Sequence, residues 1–161
     1  MYVARVPTSR IMTASITVGT RFPAYLTSVG RVILADLPDA EMETRLARAD
    51  LRPHTARTLA SADAPRAEPR RVRRQGYALV DQELEDGLGS VAAPVRDRDG
   101  AVVAGVNIAV HAGRNSVESV RRVLLPPLLA TVARIDADLR ITGAGVTGPA
   151  PAAGHDSATH R

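Results

Sequence analysis

Two apolar segments joined by a short polar turn constrain the fold more than any other feature of this sequence. Residues 90–95 (SVAAPV) and residues 101–110 (AVVAGVNIAV) have the apolar, β-branched composition of strands. The residues between them, RDRDG, contain Asp99-Gly100, a dipeptide that favours the tight turn of a β-hairpin. The sequence therefore predicts an antiparallel pair of strands, around which the rest of the chain must form layers.

Three further segments predict strands and bring the expected sheet to about five. Residues 2–6 and residues 11–18 alternate or run apolar, with a turn predicted at residues 7–9 between them. Residues 77–81 (YALVD) have the same character and precede the acidic loop QELEDGLG.

Helices are predicted between and after these strands. The first starts near Pro23, and its apolar side chains at helical spacing are Leu26, Val29, Ile33 and Leu37. The second starts at Asp39, with Met42 and Leu46 on one face. A third, rich in arginine, is expected to be short or kinked after Pro69. The fourth is long, has Ser116 as its N-cap and is expected to kink at Pro126-Pro127.

Strands in hairpins with helices inserted between them define the α+β class. The length of 161 residues suits one domain, which we place at residues 1–141. Residues 142–161 lack periodicity and are rich in small residues, proline and glycine, so we expect a disordered tail.

Composition excludes several classes of function. The chain has no cysteine and no lysine, so disulfides, thiol catalysis and Schiff-base chemistry are excluded. Every apolar run is too short to span a membrane, and residues 1–10 lack the apolar stretch of a secretory signal. We therefore expect a cytoplasmic protein without membrane contact.

Residues that carry chemistry do not assemble into a recognisable catalytic motif. None of the four histidines stands at a metal-ligand spacing, so no metal and no cofactor is expected. The carboxylates of Glu83, Glu85 and Asp86 follow a strand closely, but a solvated loop is the better interpretation than acid–base catalysis. The sequence therefore predicts a protein that is not an enzyme.

Arginine accounts for all 21 basic residues and for the net charge of +4. Five arginines between residues 66 and 74 would contact phosphates in a nucleic-acid-binding protein, yet a solvated helical face explains them better. Near the first helix, Arg21 and Ser28 suit recognition of a carboxylate and a hydroxyl. A surface arginine and a small packed serine explain the same residues, so both interpretations stay open.

Several blocks of the chain resemble, in order, the effector-binding domain of IclR-type bacterial transcription regulators. They are GTRFPAYLTSVGRVILADLP, TARTL, VRRQGYALVDQELEDGLGSVAAPVRDRDGAVVAGVNIAV and LLPPLLATVARIDADL, which together cover most of residues 11–140. The segment YVARVPTSRIMTASITVGTRFPAYLTSVGRV is similar to the subgroup that controls protocatechuate and para-hydroxybenzoate catabolism. The resemblance implies a curved antiparallel sheet with packed helices, shaped like GAF-type sensor domains.

The resemblance also implies a cavity between the sheet and the first helix that binds a small organic acid, for example a hydroxylated benzoate. The implied effector-binding residues are Ile11, Ala14, Arg21, Ser28, Val29, Val80, Asp81, Glu83, Leu88, Ser90, Asn107 and Ala109. Arg10 or Arg21 is the candidate partner of the ligand carboxylate. Asp81 and Glu83 would repel an acid if both lined the cavity charged, so we expect at least one to face solvent or pair with arginine.

The chain also departs from the family pattern. The resemblance covers no helix-turn-helix, so DNA contact would come only through a domain that this chain lacks, and the effector domain is expected to be incomplete at its N-terminus. The implied function is effector sensing and oligomerisation, as a homodimer or tetramer. The alternatives are a stand-alone enzyme on a GAF-like fold, with Asp81 or Glu83 as its base, or a truncated partner of a full-length regulator.

Overall fold

The computed structural model describes residues 1–6, 17–58 and 64–142. Within them lies one antiparallel sheet of three strands, β1 (Ala78–Asp81), β2 (Leu88–Arg96) and β3 (Val102–His111), in that order across the sheet. Helices cover both faces of this sheet, as the α+β prediction requires.

The predicted hairpin is confirmed. Strands β2 and β3 pair antiparallel from Leu88 opposite His111 to Arg96 opposite Val102. At the turn, the Asp97 amide donates to the Ala101 carbonyl over 3.0 Å, and Gly100 has φ +83°, which favours glycine.

The prediction of a strand at residues 2–6 is wrong, because the described residues there are not in a strand. The Tyr2 amide donates to the Thr20 carbonyl, and the Gly19 amide donates to the Tyr2 carbonyl. Most of the strand predicted at residues 11–18 lies outside the described residues. The described residues thus contain three of the five predicted strands.

The first predicted helix is divided in two. A single 3-10 turn (Ala24–Leu26) comes first, and α1 (Ser28–Asp36) follows it. Thr27 between them is extended and caps α1, since its hydroxyl accepts a hydrogen bond from the Gly30 amide over 3.0 Å. A side chain at Gly30 would place its Cβ 2.1 Å from the Ala24 carbonyl oxygen. Only glycine lets the turn and α1 pack this closely.

Helix α2 (Asp39–Ala47) buries Met42 and Leu46, as predicted. Helix α3 (Ala64–Gln75) continues through Pro69, so the prediction of a short helix after that residue is wrong. Contacts to other elements hold α3 in place: Arg73 donates to the carbonyl oxygens of Ala35 and Leu37, and Arg70 pairs with Glu43. The arginine face is exposed, and part of it is tied to α2 by ion pairs.

The long C-terminal helix is continuous but changes its winding. It comprises α4 (Val117–Ser119), a π turn (Val120–Leu124) and α5 (Leu125–Thr142). Ser116 is the predicted cap, since its hydroxyl accepts from the Ser119 amide over 3.1 Å. Pro126 and Pro127 have no amide hydrogen to donate, and the wider π turn directly precedes them where a kink was predicted.

The two faces of the sheet are covered by different helices. Helix α5 and the π turn before it pack on what we call the α5 face, against Val91, Ala93 and Val95. Helices α1 and α3 pack on the opposite, α1 face, against Ala78 and Ala92. In the described part of the chain, no helix is long and apolar enough to cross a membrane.

Candidate functional site

A cavity lies on the α1 face, where the start of α1 meets the sheet. Its lining residues are Tyr2, Phe22, Leu26, Thr27, Ser28, Val80, Leu84, Leu88, Ser90, Asn107 and Ala109. The enclosed space is about 30 Å³, which holds about two water molecules. The sequence led us to expect a hollow sized for a small organic acid, and in this conformation the hollow is narrower than that.

Strand register explains why three lining residues stand side by side. Ser90 in the central strand lies opposite Val80 of β1 on one side and opposite Ala109 of β3 on the other. Residues in such a row point to the same face of the sheet. The floor of the cavity is therefore a row of three short or medium side chains, with a hydroxyl at its centre.

A direct hydrogen bond closes the cavity between helix and sheet. The Ser28 hydroxyl, in the first turn of α1, lies 2.9 Å from the Ser90 hydroxyl, and Ser28 is 1% exposed. Each hydroxyl can donate to the other, and each keeps a further lone pair. The pair is therefore able to exchange its mutual bond for bonds to a polar group placed between them.

The cavity also lies at the N-terminal end of α1, with Thr27 and Ser28 both in its lining. The amides of the first helical turn have no acceptor within the helix, and the helix dipole places a partial positive charge there. This end of the cavity favours a negatively charged or hydrogen-bond-accepting group.

Asp81 and Glu83 do not line the cavity, because both are engaged by arginines. Asp81 accepts a 2.6 Å bond from Arg57 at the surface. Glu83 is buried and accepts two bonds from Arg31, of 2.9 and 2.5 Å. The expectation that at least one of these carboxylates pairs with arginine is met by both.

Arg31 is the centre of a buried charge network beside the cavity. It is 2% exposed, and its Nε donates to the Tyr25 carbonyl over 2.8 Å. Glu68 of α3 lies 3.6 Å from Arg31 and accepts a 2.8 Å bond from Arg71. Two arginines thus balance two buried carboxylates, and the network fixes α1 to α3 and to the loop after β1.

The structure places the residues named from sequence in three groups. Six of the twelve line the cavity: Ser28, Val80, Leu88, Ser90, Asn107 and Ala109. Four lie elsewhere: Arg21 is exposed, Val29 packs over Gly105, and Asp81 and Glu83 pair with arginines. Ile11 and Ala14, like Arg10, lie outside the described residues.

Five lining residues were not named from sequence: Tyr2, Phe22, Leu26, Thr27 and Leu84. Tyr2 and Phe22 form an edge-to-face pair with ring centroids 6.2 Å apart. Burial raises the pKa of the Tyr2 phenol, so the hydroxyl is protonated at neutral pH. The sequence offered one signal for Tyr2 and Phe22, which is that aromatic residues are scarce: the chain holds only three tyrosines, one phenylalanine and no tryptophan.

Titratable side chains are scarce at the described part of the cavity. Across the described ranges, no three His, Asp or Glu side chains come together in a way that could hold a metal ion. Among the described lining residues, the Tyr2 phenol is the one titratable group.

Comparison with known proteins identifies relatives of the whole described structure. The model of the bacterial transcriptional regulator IclR C-terminal domain matches residues 1–137. The chain is 43% identical over 131 residues to the Pca regulon regulatory protein of Pseudomonas putida, covering 81% of this chain and 45% of that protein. It is also 36% identical over 117 residues to the transcriptional regulator KdgR of Escherichia coli, covering 73% of this chain and 44% of that protein.

Solved structures show the same fold. A transcriptional regulator from Rhodococcus sp. RHA1 superposes with a TM-score of 0.83 at 48% identity, covering 89% of this chain and 57% of that one. The inducer-binding domain of a PobR double mutant from Acinetobacter, in complex with 3-hydroxybenzoic acid, superposes with a TM-score of 0.74 at 25% identity. It covers 80% of this chain and 74% of that one. The chain spans about half the length of the curated relatives named above.

Proposed function

Because the chain belongs to the IclR family of bacterial transcriptional regulators, we propose that it senses a small organic acid in the cavity on the α1 face. The observation that carries this proposal is the Ser28–Ser90 hydrogen bond, which joins helix to sheet inside a largely apolar cavity. A few polar groups in an apolar concavity are typical of small-molecule sites, where they fix the orientation of the ligand.

The chemistry of the lining supports an acid with a hydroxyl or keto oxygen. The N-terminal end of α1 favours a carboxylate. Ser28, Ser90 and Asn107 offer hydrogen bonds to a second polar group, and leucine, valine and ring surfaces suit an apolar body. The 3-hydroxybenzoic acid bound by the PobR domain has a carboxylate, a hydroxyl and an apolar ring, so hydroxylated benzoates are the first class to test.

Binding must widen the cavity, since a volume of about 30 Å³ holds about two water molecules and is too small for a hydroxylated benzoate. The ligand therefore selects a state in which Ser28 and Ser90 have separated and α1 has shifted relative to the sheet. In an intact regulator such a shift in population would reposition the DNA-binding part. We propose that this part belongs to the portion of the relatives that the present chain does not match.

Catalysis is not part of the proposal. The two carboxylates considered as a base, Asp81 and Glu83, are bound to Arg57 and Arg31 and do not reach the cavity. The relatives described above are all named as regulators. Sensing without turnover is the function that the site supports best.

A thermal-shift screen tests the proposal, with hydroxylated benzoates and keto acids as two ligand classes. A ligand that binds only the folded state raises the melting temperature progressively with concentration. The Ser28→Leu variant should fold and lose this response, because its side chain fills the cavity. Ser119→Leu makes the same chemical change in α4, outside the cavity lining, and should respond like the wild type. A flat response of the wild type to both classes would contradict the proposal.

A further inference from the structure

We propose that Tyr2 and Phe22 form the entrance of the cavity, which opens when their edge-to-face pair separates. This inference rests on the proposed function and extends it to the route by which the acid enters and leaves. No sequence pattern pointed to either residue, and the geometry of the cavity wall carries the argument.

The other walls of the cavity belong mostly to regular elements that are covered from behind, and Leu84 lies in the loop after β1, where its neighbour Glu83 is bonded to Arg31. Val80, Ser90 and Ala109 are on the three strands, whose opposite face is packed against α5. Thr27 and Ser28 start α1, which the buried Arg31 network fixes to α3 and to the loop after β1. Opening the cavity through these walls would break the sheet or expose buried charges.

The wall formed by Tyr2 and Phe22 has no such support within the described residues. Neither residue is in a helix or a strand. The segments that carry them are joined by two backbone hydrogen bonds, from Tyr2 to Thr20 and from Gly19 to Tyr2. Their neighbours Val3 and Val18 are 71% and 68% exposed, so solvent lies directly outside this wall.

Within the described residues, the ring pair joins the two segments of this wall through their side chains. Edge-to-face pairs are a modest but specific attraction, and separating one costs far less than unfolding a strand. Two of the chain's four aromatic side chains meet at this point, in a sequence that is only 2% aromatic. Among the described walls, this one is thus the easiest to open further.

Exchange kinetics of a bound acid test this inference. The probes are 3-hydroxybenzoate and pyruvate, and their association and dissociation rate constants are measured by ligand-observed NMR line shapes on the full chain. If the wall must open for both entry and exit, Phe22→Ala raises both rate constants together by about three- to tenfold and changes Kd much less. Tyr2→Phe keeps the ring and should retain the wild-type rates.

Matched controls separate an entrance from a merely structural role. Tyr77→Leu removes an aromatic ring on the α5 face and should lower stability without altering either rate constant. If Phe22→Ala raises only the dissociation rate constant, or neither constant, the entrance is elsewhere and the proposal is overturned.

Hydrogen exchange provides a test that needs no ligand and distinguishes this inference from the proposed function. The Tyr2 and Gly19 amides should exchange by local opening, faster than the paired amides of β2 and β3, and faster again in Phe22→Ala. The inference would be overturned if the Tyr2 and Gly19 amides exchange as slowly as the paired amides of β2 and β3. Absence of binding by either acid alongside fast local exchange would instead contradict the proposed function.

Discussion

The two faces of the sheet are attached to their helices by different kinds of contact. On the α5 face, aliphatic side chains of β2 and β3 pack against those of the long helix, among them Leu125, Leu128 and Val132. The buried polar or charged side chains found among the described residues all belong to the α1 face or to loops bound to it: Ser28, Arg31, Thr58, Glu68 and Glu83.

This difference separates stability from recognition. Apolar packing is non-directional, so the α5 face stabilises the fold without setting a particular chemistry. Hydrogen bonds and ion pairs are directional, and on the α1 face they hold one helix at a defined distance from the sheet and leave a cavity beside it. We therefore expect variants of the α5 face to change stability alone, and variants of the α1 face to change both stability and binding.

The largest effect is expected from Arg31→Met. The change leaves Glu83 buried without its partner, and breaking a buried ion pair in this way costs about 3–5 kcal/mol. Urea unfolding at constant pH measures the loss. The double variant Arg31→Met/Glu83→Gln should recover part of it, because the unpaired charge is gone. A loss below about 1 kcal/mol would mean that the network does not organise the α1 face.

Leu128→Ala tests the expectation that variants of the α5 face change stability alone. Leu128 is 3% exposed in the α5-face core, and truncating such a leucine costs about 2–5 kcal/mol. Urea unfolding should show this decrease in the free energy of unfolding, while the affinity for an acid bound in the cavity stays unchanged. A change of affinity as large as that in an α1-face variant would show that the two faces do not act independently.

Gly30→Ala should have a smaller effect on stability and a clear one on binding. The new Cβ would collide with the Ala24 carbonyl, so α1 must shift, at a cost of about 1–3 kcal/mol. Gly105→Ala is the matched control, because the tight contacts of its Cβ would be with side-chain methyls of Val32 and Val29, at 3.0 and 3.2 Å, while the Ala93 carbonyl oxygen would lie at an ordinary 3.7 Å. If Gly30→Ala and Gly105→Ala lose equal stability and equal affinity, the contact between Gly30 and Ala24 does not fix the start of α1.

The smallest effect concerns Asp39, at the surface between α2 and α3. Its hydrogen bond from Arg73 lowers the pKa of this carboxyl, and the charge of Arg70 contributes. Because the pKa is lower in the folded state, the ionised carboxyl stabilises the protein at pH values above its ordinary pKa near 4. This stabilisation is lost as the pH falls through the folded-state pKa. Asp39→Asn should flatten the acid side of the stability profile below about pH 4, and an unchanged profile would contradict this.

The parts of the fold that local patterns determine were predicted from sequence. The hairpin at Asp99-Gly100, the N-cap at Ser116 and the buried Met42 and Leu46 of α2 are confirmed. Each depends on residues close together in the chain, so the sequence contains the whole signal.

Long-range contacts explain what the sequence could not show. Helix α3 continues through Pro69 because Arg70 and Arg73 anchor it to α2 and to carbonyl groups after α1. The family resemblance placed Glu83 at the border of the cavity, and the sequence did not show which arginine it pairs with, because Arg31 is 52 residues away in the chain. Tyr2 and Phe22 meet only in the folded protein, so their role in the cavity wall had no local pattern.

A crystal structure of the complex with the acid that gives the largest thermal shift would show whether the ligand separates Ser28 from Ser90. We predict electron density for the acid between these two residues, with polar oxygens of the ligand within hydrogen-bond distance of both hydroxyls. The direct bond between these hydroxyls should then be broken. Density for the acid anywhere else, with the Ser28–Ser90 bond intact, would contradict the claim.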